Sequence, residues 1–172
     1  QEKTGLDPYN DGLTIETTID SKAQQRLYDI VNTNDYIQYV NEKIQNAVVM
    51  LDTKTGAVRA VNGGRKQTTL LGYNRATDNT RSTGSTIKPV IDYGPAIEYL
   101  NYSTGQTIMD QRTTYSNGVE LNNWDFSHKG AMTLRTALVY SRNTTALQTF
   151  KAVGETNIKS FLNNLDIQIK ND

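Results

Sequence analysis

Two β-rich runs joined by a turn-forming stretch constrain this chain more than any other feature. Ala47-Val48-Val49-Met50-Leu51 and Ala57-Val58-Arg59-Ala60-Val61 flank Asp52-Thr53-Lys54-Thr55-Gly56. Aliphatic and β-branched residues on both sides of a polar turn that ends in glycine predict an antiparallel hairpin. Helical patterns surround it. Asp20 is placed to accept from the open N–H groups of a helix start, and Ala23, Leu27, Ile30 and Val31 follow at three-to-four spacing. Leu13 to Thr18 alternates as a short strand would, after a stretch of turn formers that includes Gly5, Asp7, Pro8, Asn10, Asp11 and Gly12. The pattern predicts an α/β chain of the α+β type, with a central antiparallel sheet that includes the hairpin and is packed between helices.

The second half is read the same way. Gly63-Gly64 through Asn79 looks irregular, and Ile87, Ile91 and Ala96 predict a helix that begins near Ser85. Pro89 fits such a helix only in its first turn, where no N–H is needed. Residues 101–130 are rich in Asn, Gly, Thr and Ser and predict a surface excursion with brief strands. Thr133 is a natural cap for a helix through Tyr140. A second helix runs from about Thr144 to Val153 with Gly154 as its stop, and Ile158, Phe161, Leu162 and Leu165 mark a third. Ser141-Arg142-Asn143 lies between the first two of these helices.

Composition removes several classes of function. Lys plus Arg and Asp plus Glu balance at 18 each, so no net field draws the chain to nucleic acid or to an acidic membrane surface. The absence of cysteine excludes thiol catalysis, thiolate metal sites and disulfides, and suits an extracytoplasmic protein. Apolar runs of about five residues fall far short of the roughly 20 that a spanning helix needs, so no membrane contact is expected of these residues. The single histidine, His128, reads as a lone surface loop residue, so no Ser-His-Asp triad is expected. No metal or other cofactor is expected.

Two short motifs carry chemistry. Ser85-Thr86-Ile87-Lys88 sets a hydroxyl and an amine three positions apart, a spacing that brings both side chains to one face of a helix. A serine hydroxyl needs a base, and lysine serves as one when desolvation or a neighbouring cation lowers its pKa from about 10.4. The positive end of a helix dipole adds about 0.5–1 kcal/mol to a developing alkoxide at its first turn. Ser-x-x-Lys alone arises by chance about once in a chain of this length, and Ser141-x-Asn143 alone fits simple helix capping. Their occurrence in this order matters more, because Ser-x-x-Lys, Ser-Asp-Asn and Lys-Thr-Gly together form the motif set of penicillin-binding proteins and class A β-lactamases.

On these motifs the chain resembles the transpeptidase domain of the bifunctional class A penicillin-binding proteins of Gram-positive type. The likeness extends through Leu13 to Asp20, Asn46-Ala47-Val48-Val49, Thr55-Gly56, Gly63-Gly64, Tyr73-Asn74-Arg75-Ala76, Gly84 to Pro89, Asn123-Trp124-Asp125 and Leu134 to Asn143. The resemblance implies that Ser85 attacks the penultimate D-Ala carbonyl of a peptidoglycan stem peptide, releases the terminal D-Ala and passes the acyl group to an amine on a neighbouring strand. The same serine would be acylated by β-lactam antibiotics. Lys88 would take the Ser85 proton, Ser141 would relay a proton to the leaving group, Asn143 would bind the substrate amide, and Trp124 would line the substrate groove. Arg142, between the two catalytic candidates, fits a solvent-facing position as well as any other.

The chain departs from the family pattern at the third motif. No Lys-Thr/Ser-Gly follows Asn143. Lys54-Thr55-Gly56 and Lys3-Thr4-Gly5 spell it, but both precede the serine, and the first falls in the hairpin turn where its lysine is solvated. The resemblance therefore implies residues 1–45 as the start of the domain with a linker-like segment, and 46–172 as its front part, cut before the third motif. The C-terminal remainder of the domain would stand beside it as a second chain. The full-length protein would be membrane-anchored upstream, with this part on the extracytoplasmic face of the bacterial membrane. A serine β-lactamase is the alternative within enzymes, though no loop plainly offers a deacylating carboxylate. A non-catalytic penicillin-binding sensor domain is the alternative outside them.

Overall fold

A computed structural model describes residues 5–7 and 9–168. The chain divides into two compact units, residues 1–81 and 82–172. Lys3, Thr4 and Pro8 lie outside the described residues.

In the first unit, helix α1 spans Ser21–Asn32 and is capped by Asp20, whose side chain accepts from the Ala23 N–H at 2.9 Å. The predicted hairpin is present: β1 (Val48–Leu51) pairs antiparallel with β2 (Val58–Asn62), with Val49 opposite Val61 and an irregularity between Met50 and Leu51. Asp52 closes its turn by accepting from the Lys54 and Thr55 N–H groups at 2.9 and 3.0 Å, which leaves Lys54 exposed as expected. Helix α1 docks on the outer edge of β2 through one side chain. The Gln24 amide donates to the Val61 carbonyl at 3.0 Å and accepts from the Val61 N–H at 2.9 Å, so a strand edge that would otherwise stay unpaired is satisfied. The strand predicted over Leu13–Thr18 does not form. Only its end reaches β2, where Thr18 Oγ1 donates to the Val58 carbonyl at 2.7 Å and the Asp20 N–H to the Arg59 carbonyl at 2.9 Å. Helix α1 follows at once and already occupies that edge with Gln24, so alternation alone finds no ladder to join.

The second unit is built around a helix in three parts. A 3₁₀ turn over Gly84–Ile87 leads into a π-type turn over Pro89–Tyr93, and α2 continues over Gly94–Leu100. Pro89 stands where the sequence places it, at the first position of its segment, and the Gly94 N–H reaches back to the Pro89 carbonyl. Gly94 is required by contact: a Cβ there would lie 2.7 Å from the Pro89 carbonyl oxygen and 2.9 Å from the Phe161 ring. Strand β3 (Thr107–Asp110) pairs antiparallel with β6 (Gly130–Thr133), and the short β4 (Thr113–Thr114) and β5 (Glu120–Leu121) pair within the polar excursion. Helices α3 (Leu134–Val139, capped by Thr133), α4 (Asn143–Val153, ended by Gly154) and α5 (Glu155–Asn164) follow the predicted order.

The core of this unit has two parts. Ala96, Val153, Ile158 and Leu162 pack where α2, α4 and α5 meet, and Tyr93, Leu134, Ala137 and Ala146 pack beneath β3 and β6 with Ile108 and Met132. Each buried Leu or Val contributes roughly 1.5–3 kcal/mol, enough to fix the helices that carry both motifs. Antiparallel pairing among the described residues is limited to three two-stranded sheets. The α/β character is present, with the sheet of the first unit represented by the single hairpin.

Candidate active site

The serine of the first motif stands on an exposed, tightly wound turn. Gly84 precedes it with φ of +54°, a left-handed conformation that glycine adopts without steric cost. Its bend opens the 3₁₀ turn Gly84–Ile87 that carries Ser85. The Lys88 N–H donates to the Ser85 carbonyl. Ser85 itself is exposed, and among the described residues its hydroxyl has no hydrogen-bond partner.

Lys88 points inward and is only 6% exposed. Its ammonium group donates to the Ser141 carbonyl at 2.7 Å, to Ser141 Oγ at 3.2 Å and to Asn143 Oδ1 at 2.7 Å. Three donors thus meet three neutral oxygens, all from the second motif. Burial pushes the amine below the ordinary lysine range, the nearby Asp92 charge opposes this, and Arg142 adds to it. Sequence spacing places Lys88 beside Ser85. The structure joins it by hydrogen bonds to Ser141 and Asn143 instead.

The second motif owes its shape to the end of α3. The Ser141 N–H donates to the Leu138 carbonyl and the Arg142 N–H to the Ala137 carbonyl, both at 2.9 Å. This pair of bonds is the Schellman arrangement, whose reversing residue is usually glycine. Here Ser141 takes the left-handed conformation, φ +50°, at a cost of about 1–2 kcal/mol for an L-residue. The reversal directs both its carbonyl and its hydroxyl at Lys88.

Behind that corner lies a polar network that sequence reasoning missed. Arg142 is buried, not solvent-facing. Its Nε donates to Asp110 Oδ2 at 2.8 Å, its Nη1 to both Asp125 oxygens at 2.9 Å, and its Nη2 to the Ser127 carbonyl. Asp110, at the end of β3, also accepts from Thr144 Oγ1 at 2.5 Å, Asn123 Nδ2 at 2.8 Å and the Lys129 N–H at 2.8 Å. Burial pushes the Asp110 carboxyl up, but these donors and the Arg142 charge together hold it below its ordinary value. Arg142 and Ser127 hold Asp125 well below the carboxylate range. Asn123 completes the network. Its Oδ1 accepts from the Asn143 N–H at 2.8 Å and the Thr144 N–H at 3.3 Å, so it caps α4 from a distance, where α4 has no cap of its own. His128 is exposed, as expected of a surface loop residue, with Nδ1 3.7 Å from Asp110.

Arg142 was visible as the middle residue of Ser-x-Asn, and Asn123 and Asp125 flank the single tryptophan. Nothing in the sequence marked Asp110 as their partner. Trp124 is 68% exposed, so it is no packing anchor. Its Nε1 donates to the Tyr140 carbonyl at 3.1 Å, beside Ser141.

Ser85, Lys88 and Asn143 line one open cavity of about 710 Å³, whose far wall is apolar: Ile91, Leu121, Ala146, Leu147 and Phe150. The size suits a peptide-like ligand. Trp124 and Ser141 are not among the lining residues. Asp92 is; burial raises its carboxyl to about 7, against the opposing pull of Lys88. Among the described residues no group of three or more acidic or histidine side chains is placed to hold a metal ion, and no helix is long and apolar enough to cross a membrane.

A serine and a buried amine face one cavity, and a second serine and an asparagine hold the amine. Residues 46–171 match the family described as the penicillin binding protein transpeptidase domain, and the chain belongs to it. Over 99% of its length it is 43% identical to penicillin-binding protein 1A/1B of Bacillus subtilis, of which it spans 18%. Two solved structures share the fold. The penicillin-binding protein PonA1 of Mycobacterium tuberculosis superposes with a TM-score of 0.70, at 24% identity over 94% of this chain and 41% of that one. The same protein in complex with penicillin V superposes with a TM-score of 0.66, at 25% identity over 88% of this chain and 39% of that one. The chain thus spans a minor part of the proteins it matches.

Proposed function

We propose that this chain carries the acylating half of a peptidoglycan D,D-transpeptidase site on the extracytoplasmic face of a bacterial membrane. The observation that carries the reading is the placement of Lys88: a buried amine, held by Ser141 and Asn143, on the wall of the cavity where Ser85 is exposed. Burial favours its neutral form, and a neutral amine is the base that a serine nucleophile needs. Ser85 Oγ bonds to the penultimate D-Ala carbonyl carbon as its proton passes to Lys88 Nζ. The tetrahedral intermediate collapses, its C–N bond to the terminal D-Ala breaks, and the leaving nitrogen takes a proton from Lys88 by way of Ser141 Oγ. An amine from a neighbouring strand then attacks the Ser85 ester and restores the hydroxyl. With a β-lactam the cleaved amide belongs to a ring, so the leaving nitrogen stays tethered and the ester persists.

Asn143 is read as the anchor of Lys88 and of the substrate amide, since its NH₂ keeps one donor beyond the bond to the Asn122 carbonyl at 2.9 Å. Trp124, fixed beside Ser141 through Tyr140, is read as a wall of the groove for the extended peptide. The Lys-Thr/Ser-Gly strand of the family is not spelled after Asn143. Turnover is proposed to draw on the strand that carries that motif in the family. The test is intact-mass analysis of the protein with and without benzylpenicillin, followed by peptide mapping. One stable adduct, mapped to Ser85 and lost in Ser85→Ala, is expected. No adduct, or an adduct on another residue, overturns the reading.

A further inference from the structure

One cavity-facing group has no part in this chemistry. Asp92 is 6% exposed, lies four positions after Lys88 on the same helical path, and lines the same cavity. Among the described residues no protein group donates to its carboxyl group, whose oxygens open onto the cavity. Asp110, only 1% exposed, has four donors. Lys88 likewise spends all three of its protons on neutral oxygens. Lys88 and Asp92, four positions apart, thus line one cavity with no hydrogen bond or ion pair between them among the described residues.

We propose that Asp92 is a positioning residue that governs when Lys88 becomes a free base, through its charge and not through contact with substrate. When Asp92 is ionised it favours the ammonium form of Lys88 and so opposes activation of Ser85. When it is protonated the amine gives up its proton more readily. The pair then loses two protons in two coupled steps, and the free amine predominates only after the second.

The surroundings leave few other groups to take this role. Arg142, from the loop before α4, acts on Lys88 in the opposite sense. Tyr93 follows Asp92, and its hydroxyl is shared with Thr145 at 3.2 Å. On α4 the nearest cation at the cavity wall is Lys151, which donates to the Thr114 carbonyl, and Tyr115 stands beside it on the excursion. On α5, which also packs on this turn, Lys159 is paired with Glu155 at 2.5 Å. Among the described residues Asp92 is the only acidic one that lines the cavity.

This inference rests on the acylation reading, and two measurements separate their fates. The rate of Ser85 acylation by benzylpenicillin is followed by mass between about pH 5 and pH 10 in the intact protein, in Asp92→Asn and in Asp92→Glu. Asn is expected to move the acid limb to lower pH and to reduce two steps to one, whereas Glu keeps the limb near its original place. A structural role alone would lower the rate at every pH without moving the limb. The second measurement is ¹³C NMR titration of the Lys88 side chain in ¹³C-lysine-labelled protein, assigned with Lys88→Arg. It needs no reaction, and a titration shifted to lower pH in Asp92→Asn is expected. Absence of a Ser85 adduct with a shifted Lys88 titration would sink the acylation reading and keep the charge coupling. Superimposable Lys88 titrations would overturn this inference even where acylation is normal. Loss of ester hydrolysis with an unmoved acylation limb would overturn it too, and would make Asp92 a deacylating base.

Discussion

The corner that carries Ser141 and Asn143 and the turn that carries Ser85, Lys88 and Asp92 bury charge in opposite ways. At the corner, Arg142 meets two carboxylates with good geometry, and Asp110 accepts from four donors. At the turn, a lysine and an aspartate are each buried to about the same degree, yet Asp92 has no donor and the two make no direct bond among the described residues. A fully satisfied network specifies one geometry, while a carboxylate held by no protein donor titrates more easily. The difference assigns rigidity to the residues that hold the amine and tunability to the amine itself, a division suited to acid–base chemistry.

The contrast can be broken most forcefully at Arg142. Arg142→Met keeps the volume and leaves Asp110 and Asp125 without their cation. Removing one partner of a buried charged network costs roughly 3–5 kcal/mol, which urea unfolding would register as a large fall in midpoint. Acid should act on the wild type in the same direction. The folded values of both carboxyl groups lie below their unfolded ones, so their contribution is present above about pH 4 and is lost as pH falls through the folded values. A loss of less than about 1 kcal/mol in Arg142→Met would mean that the network is not what fixes the corner.

The turn should answer to pH in the opposite sense. Asp92 has a folded value of about 7 against an ordinary 3.8. The folded state binds the extra proton, so stability is greatest below the unfolded value and falls as pH rises through about 7. Asp92→Asn removes this penalty. Above pH 7 the variant is expected to be more stable than the wild type by on the order of 1–2 kcal/mol, discounted for solvent reaching the cavity, with the two converging near pH 4. Unfolding midpoints at about pH 5 and pH 8 are sufficient to check it. A variant less stable at both would show that the carboxylate has a favourable partner.

The same division explains how much could be read from sequence. The hairpin, the Asp20 and Thr133 caps, the stop at Gly154 and the place of Pro89 depend on neighbours within a few positions, and all were legible. The two motifs were legible as a pair in sequence, though not the fact that Lys88 bonds to the second motif rather than to Ser85. The strand expected over Leu13–Thr18 failed because pairing is decided by which edge is open, and Gln24 already covers it. Asp110 was invisible because its partners lie 13 to 34 positions away, and no local pattern distinguishes an aspartate that ends a strand from one in a turn. Asp92 is different: its spacing from Lys88 is plain in the sequence, but its lack of donors is a property of packing alone.

The smallest effect sharpens the comparison most, because it sets stability against chemistry at one residue. Ser141 holds a left-handed conformation, φ +50°, at the position of a helix end where glycine is preferred. Ser141→Gly would relieve roughly 1 kcal/mol of strain and forgo the 3.2 Å bond from Lys88 to the hydroxyl, a long bond of modest worth. The carbonyl that accepts from Lys88 at 2.7 Å would remain. The expected outcome is a protein more stable by about 0.5 kcal/mol that acylates more slowly, because the proton relay to the leaving nitrogen has lost its hydroxyl while Lys88 keeps its place. Paired measurement of the urea midpoint and of the acylation rate decides it. A variant that is both more stable and equally fast would remove Ser141 Oγ from the mechanism and leave the corner with a purely structural task. A variant less stable by about 1 kcal/mol or more would mean that the hydroxyl, and not the backbone network behind it, holds the amine.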